Sequence, residues 1–513
     1  PLTRTISTAK ILIRNGKIED ISKTKSNTEL FILPGFVDSH IHIESSMLTP
    51  YNFSRIAIQH GTVATVSDPH EIANVLGMEG VNYMINNAEL SPQKFYFGAP
   101  SCVPATGFED TGGVLSLDHI EFLFKNKKVK YLSEMMNYVG VVNDEKEVVD
   151  KIKIAHKYGL PVDGHAPGLV GKKLTKYVET GISTDHESFH IEEAEEKIQK
   201  GMKIQIREGS AAKNFDTLFP LIDKYPGKVM LCSDDLHPDD LIRGHMNLLL
   251  KKGIEKRLDL FNLLTAVSAV PKSHYNLDTG ILQINDPADM VLVKNLKDFQ
   301  IEETYINGEL VYSKGKKKLD QIDQKKKNFF IKRKIIEDDL KVKPLSNRMN
   351  VIQCVNGELM TEKKICDAKI INSKVVQDTE NDILKITVIN RYKKEKPAVG
   401  FISGFSLKKG AVISSIAHDC HNIIVVGTDD RMMIEAIDWI MEKSGGIAFH
   451  NGNEIKGLPL PVAGIMSNRS AEYVAKEYQK IDSLVKKAGS NLYAPFMTLS
   501  FMALLVIPSL KIS

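Results

Sequence analysis

Residues 33–47 read LPGFVDSHIHIESSM, an apolar strand-like segment that carries two histidines. His40 and His42 are two residues apart, and residues at that spacing in a β-strand point to the same face. Both imidazoles can therefore reach one point, and histidine is the commonest metal ligand among the side chains. A single His-x-His is a short pattern, and two histidines in a strand can equally be structural. The rest of the chain has to decide between a metal site and a structural pair.

Residues 34–274 repeat one pattern, in which a short apolar run precedes a longer amphipathic stretch. Strands that alternate with helices indicate a parallel sheet, and eight such units predict a closed (β/α)8 TIM-like barrel, an α/β fold. Within one intervening stretch, Val148, Ile152 and Ala155 recur at helical spacing. The eight runs predicted as strands are residues 36–43, 62–67, 95–99, 130–135, 161–164, 182–185, 202–207 and 229–233.

Two β-rich segments flank this barrel and are expected to form one small β-sandwich beside it. Residues 1–33 contain an Asn-Gly turn at Asn15, and residues 275–320 contain another at Asn307. Asn-Gly between alternating apolar residues is typical of a β-hairpin. The chain opens with proline rather than methionine, so an N-terminal piece is expected to be missing.

The remaining third of the chain is predicted to be a separate unit. Residues 321–344 are rich in charge and are predicted as a solvated linker, after a basic run at residues 314–318. That run lacks the interleaved aromatic residues of nucleic-acid-binding segments. Residues 345–513 are predicted as an additional C-terminal α/β domain, with strands in ILKITVIN and NIIVVGT and helices at residues 431–444 and 471–488.

The composition describes a soluble globular protein, with 42% hydrophobic and 26% charged residues among 513. Its 67 basic and 64 acidic side chains nearly balance, so we expect neither a nucleic-acid nor a membrane partner. Five scattered cysteines without a C-x-x-C pair favour a reducing compartment, which predicts a cytoplasmic enzyme. Residues 492–510 approach the length of a membrane span, but two prolines and two hydroxyl residues interrupt them, so buried packing is expected.

Metal-ligand residue types stand at the carboxyl ends of the predicted strands, where barrel enzymes place their working groups. One such residue is more often structural than functional, but six at one barrel mouth predict a metal site. Four imidazoles and two carboxylates suit two adjacent divalent ions, which lower the pKa of water and supply a hydroxide nucleophile. The six residues are His40, His42, Glu134, His165, His186 and Asp234.

The GFVDSHIH motif, the later strand-end ligands and the flanking β segments resemble the metal-dependent amidohydrolase superfamily. Longer stretches closely resemble its adenine deaminase family: HIESSMLTP, SDPHEIANVLG, REGSAAKN, SDDLHPDDL and SIAHDCHNIIVVG. This resemblance runs from about Ile11 to Leu510. It implies hydrolytic deamination of adenine to hypoxanthine and ammonia in purine salvage, by a homo-oligomer that holds two divalent ions. Mn²⁺ is the expected metal, with Fe²⁺ or Zn²⁺ as alternatives.

The resemblance also implies a role for each ligand in this sequence. His40 and His42 would bind the first ion, and His165 and His186 the second. Glu134 would bridge the two ions, at the place where many amidohydrolases use a carboxylated lysine. A glutamate supplies the bridging carboxylate without carbon dioxide.

Asp234 is implied as both a ligand of the first ion and the general base. It would take the proton of the nucleophile during attack on C6 of adenine and deliver a proton to the departing amine. A base fixed by a metal is oriented before the substrate arrives. The neighbouring Asp235 and His237 would orient the substrate or support Asp234.

Several other polar residues near strand ends are second-rank candidates. Asp68, His70 and Glu71 follow the second strand and would either bind a purine ring nitrogen or cap a helix N-terminus. Arg207 and Glu208 end the seventh strand, where a salt bridge between barrel layers explains them equally well.

A last histidine cluster lies far downstream, where His418, Asp419 and His421 would form another metal site or reach into the barrel mouth. The closest alternative function is an amidohydrolase for another amino-heterocycle or a cyclic amide. A noncatalytic scaffold relative should have lost ligands, and none is missing here. Zinc deaminases of the cytidine type are excluded because they need a P-C-x-x-C motif.

Overall fold

The N-terminal strands belong to two small sheets. The structure is a computed structural model that describes residues 1–25, 28–507 and 509–512. Strands β1 (Ala9–Arg14) and β2 (Lys17–Lys23) form an antiparallel hairpin around Asn15, and β3 (Phe31–Pro34) follows. Asn15 has a φ of 49° and the next glycine a φ of 76°, the left-handed conformations that an Asn-Gly hairpin turn requires.

Eight parallel strands come next and pair in chain order. Hydrogen-bonded ladders join the first three strands, the next two and the last three. Single parallel bridges connect these groups, and a bridge between Ile41 and Asp234 returns from the last strand to the first. The eight strands are β4 (Phe36–Ile41), β5 (Thr62–Ser67), β6 (Lys94–Phe97), β7 (Leu132–Met135), β8 (Val162–Gly164), β9 (Thr184–Asp185), β10 (Lys203–Arg207) and β11 (Val229–Cys232).

All eight predicted strands are therefore present, with bounds that differ from the prediction by at most two residues. Every residue of β4 and β5 is buried, as expected of strands covered on both faces. Because neighbouring strands are parallel, the predicted ligands, which follow their carboxyl ends, gather at one end of the ring.

Helices separate these strands and cover their outer face. In the helix over residues 146–157, Val148, Ile152 and Ala155 are buried, as their spacing predicted. Short 3₁₀ turns cover Ile43–Ser46 and Ile58–His60. The helices are α1 (Pro50–Ala57), α2 (His70–Leu76), α3 (Met78–Ala88), α4 (Leu117–Lys125), α5 (Tyr138–Val142), α6 (Lys146–Lys157), α7 (Gly171–Glu179), α8 (Ile191–Gln199), α9 (Phe215–Leu218), α10 (Pro220–Lys224), α11 (Pro238–Arg243), α12 (Met246–Glu255), α13 (Leu260–Ala266) and α14 (Ala269–Tyr275).

The two segments that flank this ring lie together. Strands β12 (Met290–Val293), β13 (Ile301–Ile306) and β14 (Glu309–Ser313) form an antiparallel sheet with β3 in the order β14-β13-β12-β3. Ile18 of β2 packs against Met290 of β12, which joins the N-terminal hairpin to this sheet.

The segment predicted as a solvated linker is only partly exposed. Residues 314–318 are exposed, but Gln324, Ile335 and Leu340 are buried. Asn87 Nδ2 donates a 2.5 Å hydrogen bond to Gln324 Oε1, which fixes this segment against the helices around the ring. Its regular structure is a 3₁₀ turn at Glu337–Leu340.

The C-terminal part is built on a mixed eight-stranded sheet in the order β16-β15-β20-β19-β22-β21-β23-β24, with β17 and β18 as a separate hairpin. One face packs on α15 (Asp430–Lys443). Side chains of the other face share a hydrophobic cluster with the ring's helices and with α16 (Ala471–Lys487) and α17 (Pro495–Phe501). Its strands are β15 (Arg348–Cys354), β16 (Thr361–Asp367), β17 (Ile370–Ile371), β18 (Lys374–Val375), β19 (Leu384–Ile389), β20 (Ala398–Ser403), β21 (Ala411–Ser414), β22 (Ile423–Gly427), β23 (Gly446–His450) and β24 (Ile455–Pro459).

Most of the described residues in the apolar stretch 492–507 are buried, although Tyr493 is exposed. Its helix is only the seven residues of α17, and Phe496, Leu499 and Met502 are buried. Pro508 lies outside the described residues. Among the residues that the structure describes, no helix has both the length and the apolar character needed to cross a membrane.

Candidate metal centre

The two histidines of the His-x-His motif converge, as the strand geometry predicted. His40 is the penultimate residue of β4 and His42 directly follows the strand, and both side chains are buried. Their Nε2 atoms are 3.2 Å apart. Asp234 Oδ1 lies 3.4 Å from His40 Nε2 and 3.2 Å from His42 Nε2. Three ligand atoms from opposite ends of the ring's strand order therefore surround one point.

Glu134, at the end of β7, lies between this group and two more histidines. Its Oε1 is 3.1 Å from His42 Nε2. Its Oε2 is 2.6 Å from His165 Nδ1 and 3.2 Å from His186 Nε2. Each oxygen of one carboxylate thus faces a different histidine group, which is the arrangement that a bridging ligand needs.

The backbone fixes Asp234 in a conformation that aims its side chain inward. Its φ is 54°, in the left-handed region that residues other than glycine rarely adopt. The N–H of Asp234 donates to His40 O at 2.9 Å, and the N–H of His42 donates to Asp234 O at 3.2 Å. These bonds lock the end of β11 to the end of β4, and the strained φ is held by them.

Electrostatics at the centre keeps both carboxylates ionised. Burial raises the pKa of Glu134, but His165, His186 and His42 outweigh burial and hold that pKa well below its usual range. Burial also raises the pKa of Asp234, and Arg207 and His40 hold it well below its usual range. Both carboxylates are thus available as anionic ligands beside the imidazole nitrogens.

This donor set fits divalent metal ions. Imidazole nitrogen and carboxylate oxygen suit manganese, iron and zinc alike. The ligand atoms of His40, His186 and Asp234 lie within 4.8 Å of one another, and so do those of Glu134, His165 and His186. His186 belongs to both groups, so the two groups adjoin.

Comparisons with known proteins identify the family. Residues 31–311 match the amidohydrolase family, and residues 358–513 match the adenine deaminase C-terminal domain. The adenine deaminase of a Sulfurovum species is 50% identical over 512 residues, which cover 99% of this chain and 94% of that protein. The adenine deaminase of Methanosarcina mazei is 48% identical, over 98% of this chain and 93% of that protein. The adenine deaminase of Salinibacter ruber is 45% identical, over 99% of this chain and 94% of that protein.

The chain belongs to the adenine deaminase family. The resemblance seen in the sequence motifs is thereby confirmed, and so is a mixed α/β fold of the amidohydrolase type.

In this adenine deaminase family member, a buried arginine contacts Asp234. Arg207 Nη1 contacts both Asp234 Oδ2 and Glu187 Oε1, and Arg207 Nη2 lies 3.2 Å from Glu187 Oε2. Burial lowers the pKa of His165, but Glu187 and Glu134 outweigh burial and raise it to about 9. The sequence left a salt bridge between barrel layers open for Arg207 and Glu208, and both form ion pairs, Arg207 with Glu187 and Asp234 and Glu208 with Lys252 at 3.0 Å.

Glu187 was missed by sequence reasoning. A signal for it exists, because it directly follows His186 at the end of β9 and is buried.

The second-strand cluster reaches the adenine deaminase pocket in part. His70 and Glu71 line the pocket over the metal centre. Asp68 is not among the residues that line the pocket. Its Oδ2 lies 2.9 Å from His70 Nδ1, and its Oδ1 accepts from the His70 N–H at 3.1 Å. Asp68 therefore orients His70 and accepts from the first backbone N–H of α2, whose N-cap residue is Pro69.

The residues that follow Asp234 also separate. Asp235 lines the pocket and accepts a 2.5 Å hydrogen bond from Ser45 Oγ. His237 lies outside the pocket lining and packs edge-on against Tyr478 of α16, with ring centroids 4.8 Å apart. Burial lowers the pKa of His237 to about 3, so this ring is neutral.

The C-terminal part of the adenine deaminase closes the mouth of the pocket. His418 and Asp419 line it beside three apolar side chains of the same part, Leu359, Phe501 and Leu504. All five are buried. Of the two alternatives that the sequence left open for this cluster, the structure favours entry into the barrel mouth.

Proposed function

We propose that this chain deaminates adenine to hypoxanthine and ammonia by hydrolysis, as a step of purine salvage. The observation that carries the proposal is the buried six-residue ligand set centred on Glu134. It occurs in a chain that is 50% identical to an adenine deaminase over 99% of its length. A chain that kept only the scaffold would have no reason to retain ionised carboxylates in a buried site, because their desolvation costs stability.

The metal assignment follows the sequence prediction. His40, His42 and Asp234 would hold the first ion, and His165 and His186 the second. Glu134 would bridge them through its two oxygens. A bound divalent pair supplies a nucleophile near neutral pH, because metal coordination lowers the pKa of water. Mn²⁺ is the proposed metal, and the same ligands accept Fe²⁺ or Zn²⁺.

Asp234 is the proposed base. It accepts a proton from the attacking water as oxygen bonds to C6 of adenine, and it returns a proton to the exocyclic nitrogen as the C6–N6 bond breaks and ammonia leaves. Arg207 contacts the outer oxygen of Asp234, which leaves Oδ1 directed at His40 and His42. The carboxylate is thereby oriented before substrate arrives, which favours attack.

Other residues are proposed to hold the purine. His70 and Asp235 line the pocket and are the proposed contacts to ring nitrogens, whereas Glu71, which also lines it, holds His418 and His421 with its two oxygens. Asp68 and His237 act through neighbours, by orienting His70 and by packing beside the pocket.

The domain assignment is likewise a proposal. Residues 34–274 would form the (β/α)8 hydrolase barrel, supported by the ring of eight parallel strand pairings. Residues 1–33 and 275–320 would form the small β-sandwich, residues 321–344 the linker and residues 345–513 the C-terminal α/β domain. We further propose a cytoplasmic homo-oligomer without nucleic-acid or membrane partners.

The test is ammonia release from adenine by protein that is first stripped with a chelator and then reloaded with Mn²⁺. Activity should vanish with the metal and return with it. Asp234→Asn should abolish turnover while keeping the fold, and Asp216→Asn, at an exposed carboxylate near Lys252, should change nothing. A near-normal rate for Asp234→Asn would remove Asp234 as the base. Two bound ions without adenine turnover would refute adenine as substrate and direct the search to other amino-heterocycles and cyclic amides.

A further inference from the structure

Asp419 is a buried carboxylate that the metal centre does not use. It lies on the loop between β21 and β22, lines the pocket and is only 3% exposed. Within the described residues, its Oδ2 has no hydrogen-bond partner. Leaving a buried polar group without a partner costs free energy, so native proteins rarely do so without a functional reason. Asp419 Oδ2 is therefore a hydrogen-bond acceptor that a bound ligand can use.

The distances place Asp419 one side chain away from the proposed reaction centre. Asp419 Oδ1 is 3.8 Å from His70 Nε2, and the other nitrogen of that ring is 3.7 Å from Glu134 Oε1. One imidazole ring thus separates Asp419 from the proposed bridging carboxylate. A ligand whose reacting carbon faces the metals would present its far edge toward Asp419.

The loop that carries Asp419 is tied to the barrel. His418 Nδ1 contacts one oxygen of Glu71, and His421 Nε2 contacts the other. Burial raises the pKa of Glu71, but these two histidines outweigh burial and hold it well below its usual range. An ionised Glu71 of α2 therefore fixes the loop, so Asp419 has a defined position relative to the metal centre.

The chemistry of this end of the pocket fits one edge of a free purine base. A carboxylate accepts hydrogen bonds, and a free purine base presents one N–H on its five-membered ring, away from C6. The apolar Leu359, Phe501 and Leu504 suit the flat faces of an aromatic heterocycle.

We propose that Asp419 accepts a hydrogen bond from the five-membered-ring N–H of a free amino-purine base. This inference rests on the proposed function. The C-terminal domain thereby distinguishes the free base from nucleosides and other N-substituted purines. A substituent on that nitrogen removes the donor and adds bulk against the buried Phe501 and Leu504.

The experiment measures kcat and KM for adenine and for 9-methyladenine, which lacks the ring N–H, in Mn²⁺-loaded wild type and Asp419→Ala. Loss of a hydrogen bond to a charged acceptor should raise KM for adenine roughly 10- to 100-fold, with a smaller change in kcat. The preference for adenine over 9-methyladenine should fall by about the same factor. Asp419→Asn keeps an uncharged acceptor of the same shape and should show a smaller loss.

Asp110→Asn is the matched control, because Asp110 accepts from Asn390 Nδ2 at 2.9 Å outside the metal pocket. Metal content and thermal unfolding show whether each variant is folded and loaded. An unchanged KM for adenine in a loaded Asp419→Ala, or an equal loss for both substrates, would overturn the inference. Failure of wild type to release ammonia from adenine would instead refute the proposed function.

Discussion

Asp38 lies beneath the metal centre and accepts four hydrogen bonds, so Asp38→Asn is a sharp test of how the ligands are held. Its Oδ1 accepts from the His40 N–H at 3.3 Å and from the Ser233 N–H at 3.1 Å. Its Oδ2 accepts from Ser233 Oγ at 2.5 Å and lies 2.8 Å from His245 Nε2. One buried carboxylate thus joins β4, which carries His40, to the residue that precedes Asp234.

Asparagine has the same shape but only one accepting oxygen. Whichever way the amide is oriented, its NH₂ group faces two of the four donors. A buried donor left without its acceptor costs about 1–3 kcal/mol, so two should lower the free energy of unfolding by roughly 2–6 kcal/mol. Metal affinity should fall as well, because His40 and Asp234 lose their shared support.

The assay is urea unfolding of the metal-free protein, followed by competition with a chelator for the bound metal. Ser39→Ala is the matched control on the same strand, since Ser39 Oγ donates one 2.9 Å bond to Leu231 O, whereas four hydrogen bonds meet at Asp38. The control should cost about 1 kcal/mol and leave metal affinity unchanged. If Asp38→Asn matches wild type in both measurements, the carboxylate does not position the ligands and the reasoning is refuted.

Three further outcomes are expected. Glu134→Gln should retain fewer than two metal equivalents after dialysis. The control Glu208→Gln, at a carboxylate that contacts Lys252, should retain both. Two full equivalents in Glu134→Gln would argue against a bridging role for Glu134. Lys197→Met should lower the free energy of unfolding by about 3–5 kcal/mol, because it leaves the buried Asp185 without its 2.9 Å ion-pair partner; a loss below about 1 kcal/mol would contradict this. Burial, aided by His245, lowers the pKa of His60 from 6.5 to about 4. As pH falls below 6.5, the His60 imidazole therefore takes up a proton in the unfolded chain before it does so in the folded chain, and the free energy of unfolding decreases. The free energy of unfolding of the wild type should fall between about pH 7.5 and 5.5, and His60→Gln should reduce this fall by about 1.4 kcal/mol. Urea unfolding at both pH values measures the difference, and an unchanged pH dependence in the variant would disprove the prediction.

Local sequence determined the ring of strands well. Runs such as TVATVS at residues 62–67 are apolar and β-branched, so their strand bounds follow from short-range preference. The ligands followed from the same pattern, because the carboxyl ends of parallel strands share one edge. The bridging role of Glu134, by contrast, came from the family resemblance.

Long-range contacts were beyond such reasoning. The pairing of Arg207 with Glu187 and Asp234 depends on how β9, β10 and β11 stack around the ring, which no local pattern encodes. The entry of Asp419 into the pocket depends on how a later part of the chain docks. The linker was predicted from charge alone, and the burial of Gln324 reflects a contact with a helix far earlier in the sequence.

The bridge between Ile41 and Asp234 has a consequence for protein synthesis. The ribosome makes His40 and His42 almost two hundred residues before Asp234, yet these three residues surround one point in the finished fold. A nascent chain that ends before β11 therefore exposes two histidines without their third partner. Tight capture of the proposed first ion therefore requires that the last strand of the ring has emerged and paired with the first, whereas the proposed ligands of the second ion all precede that strand.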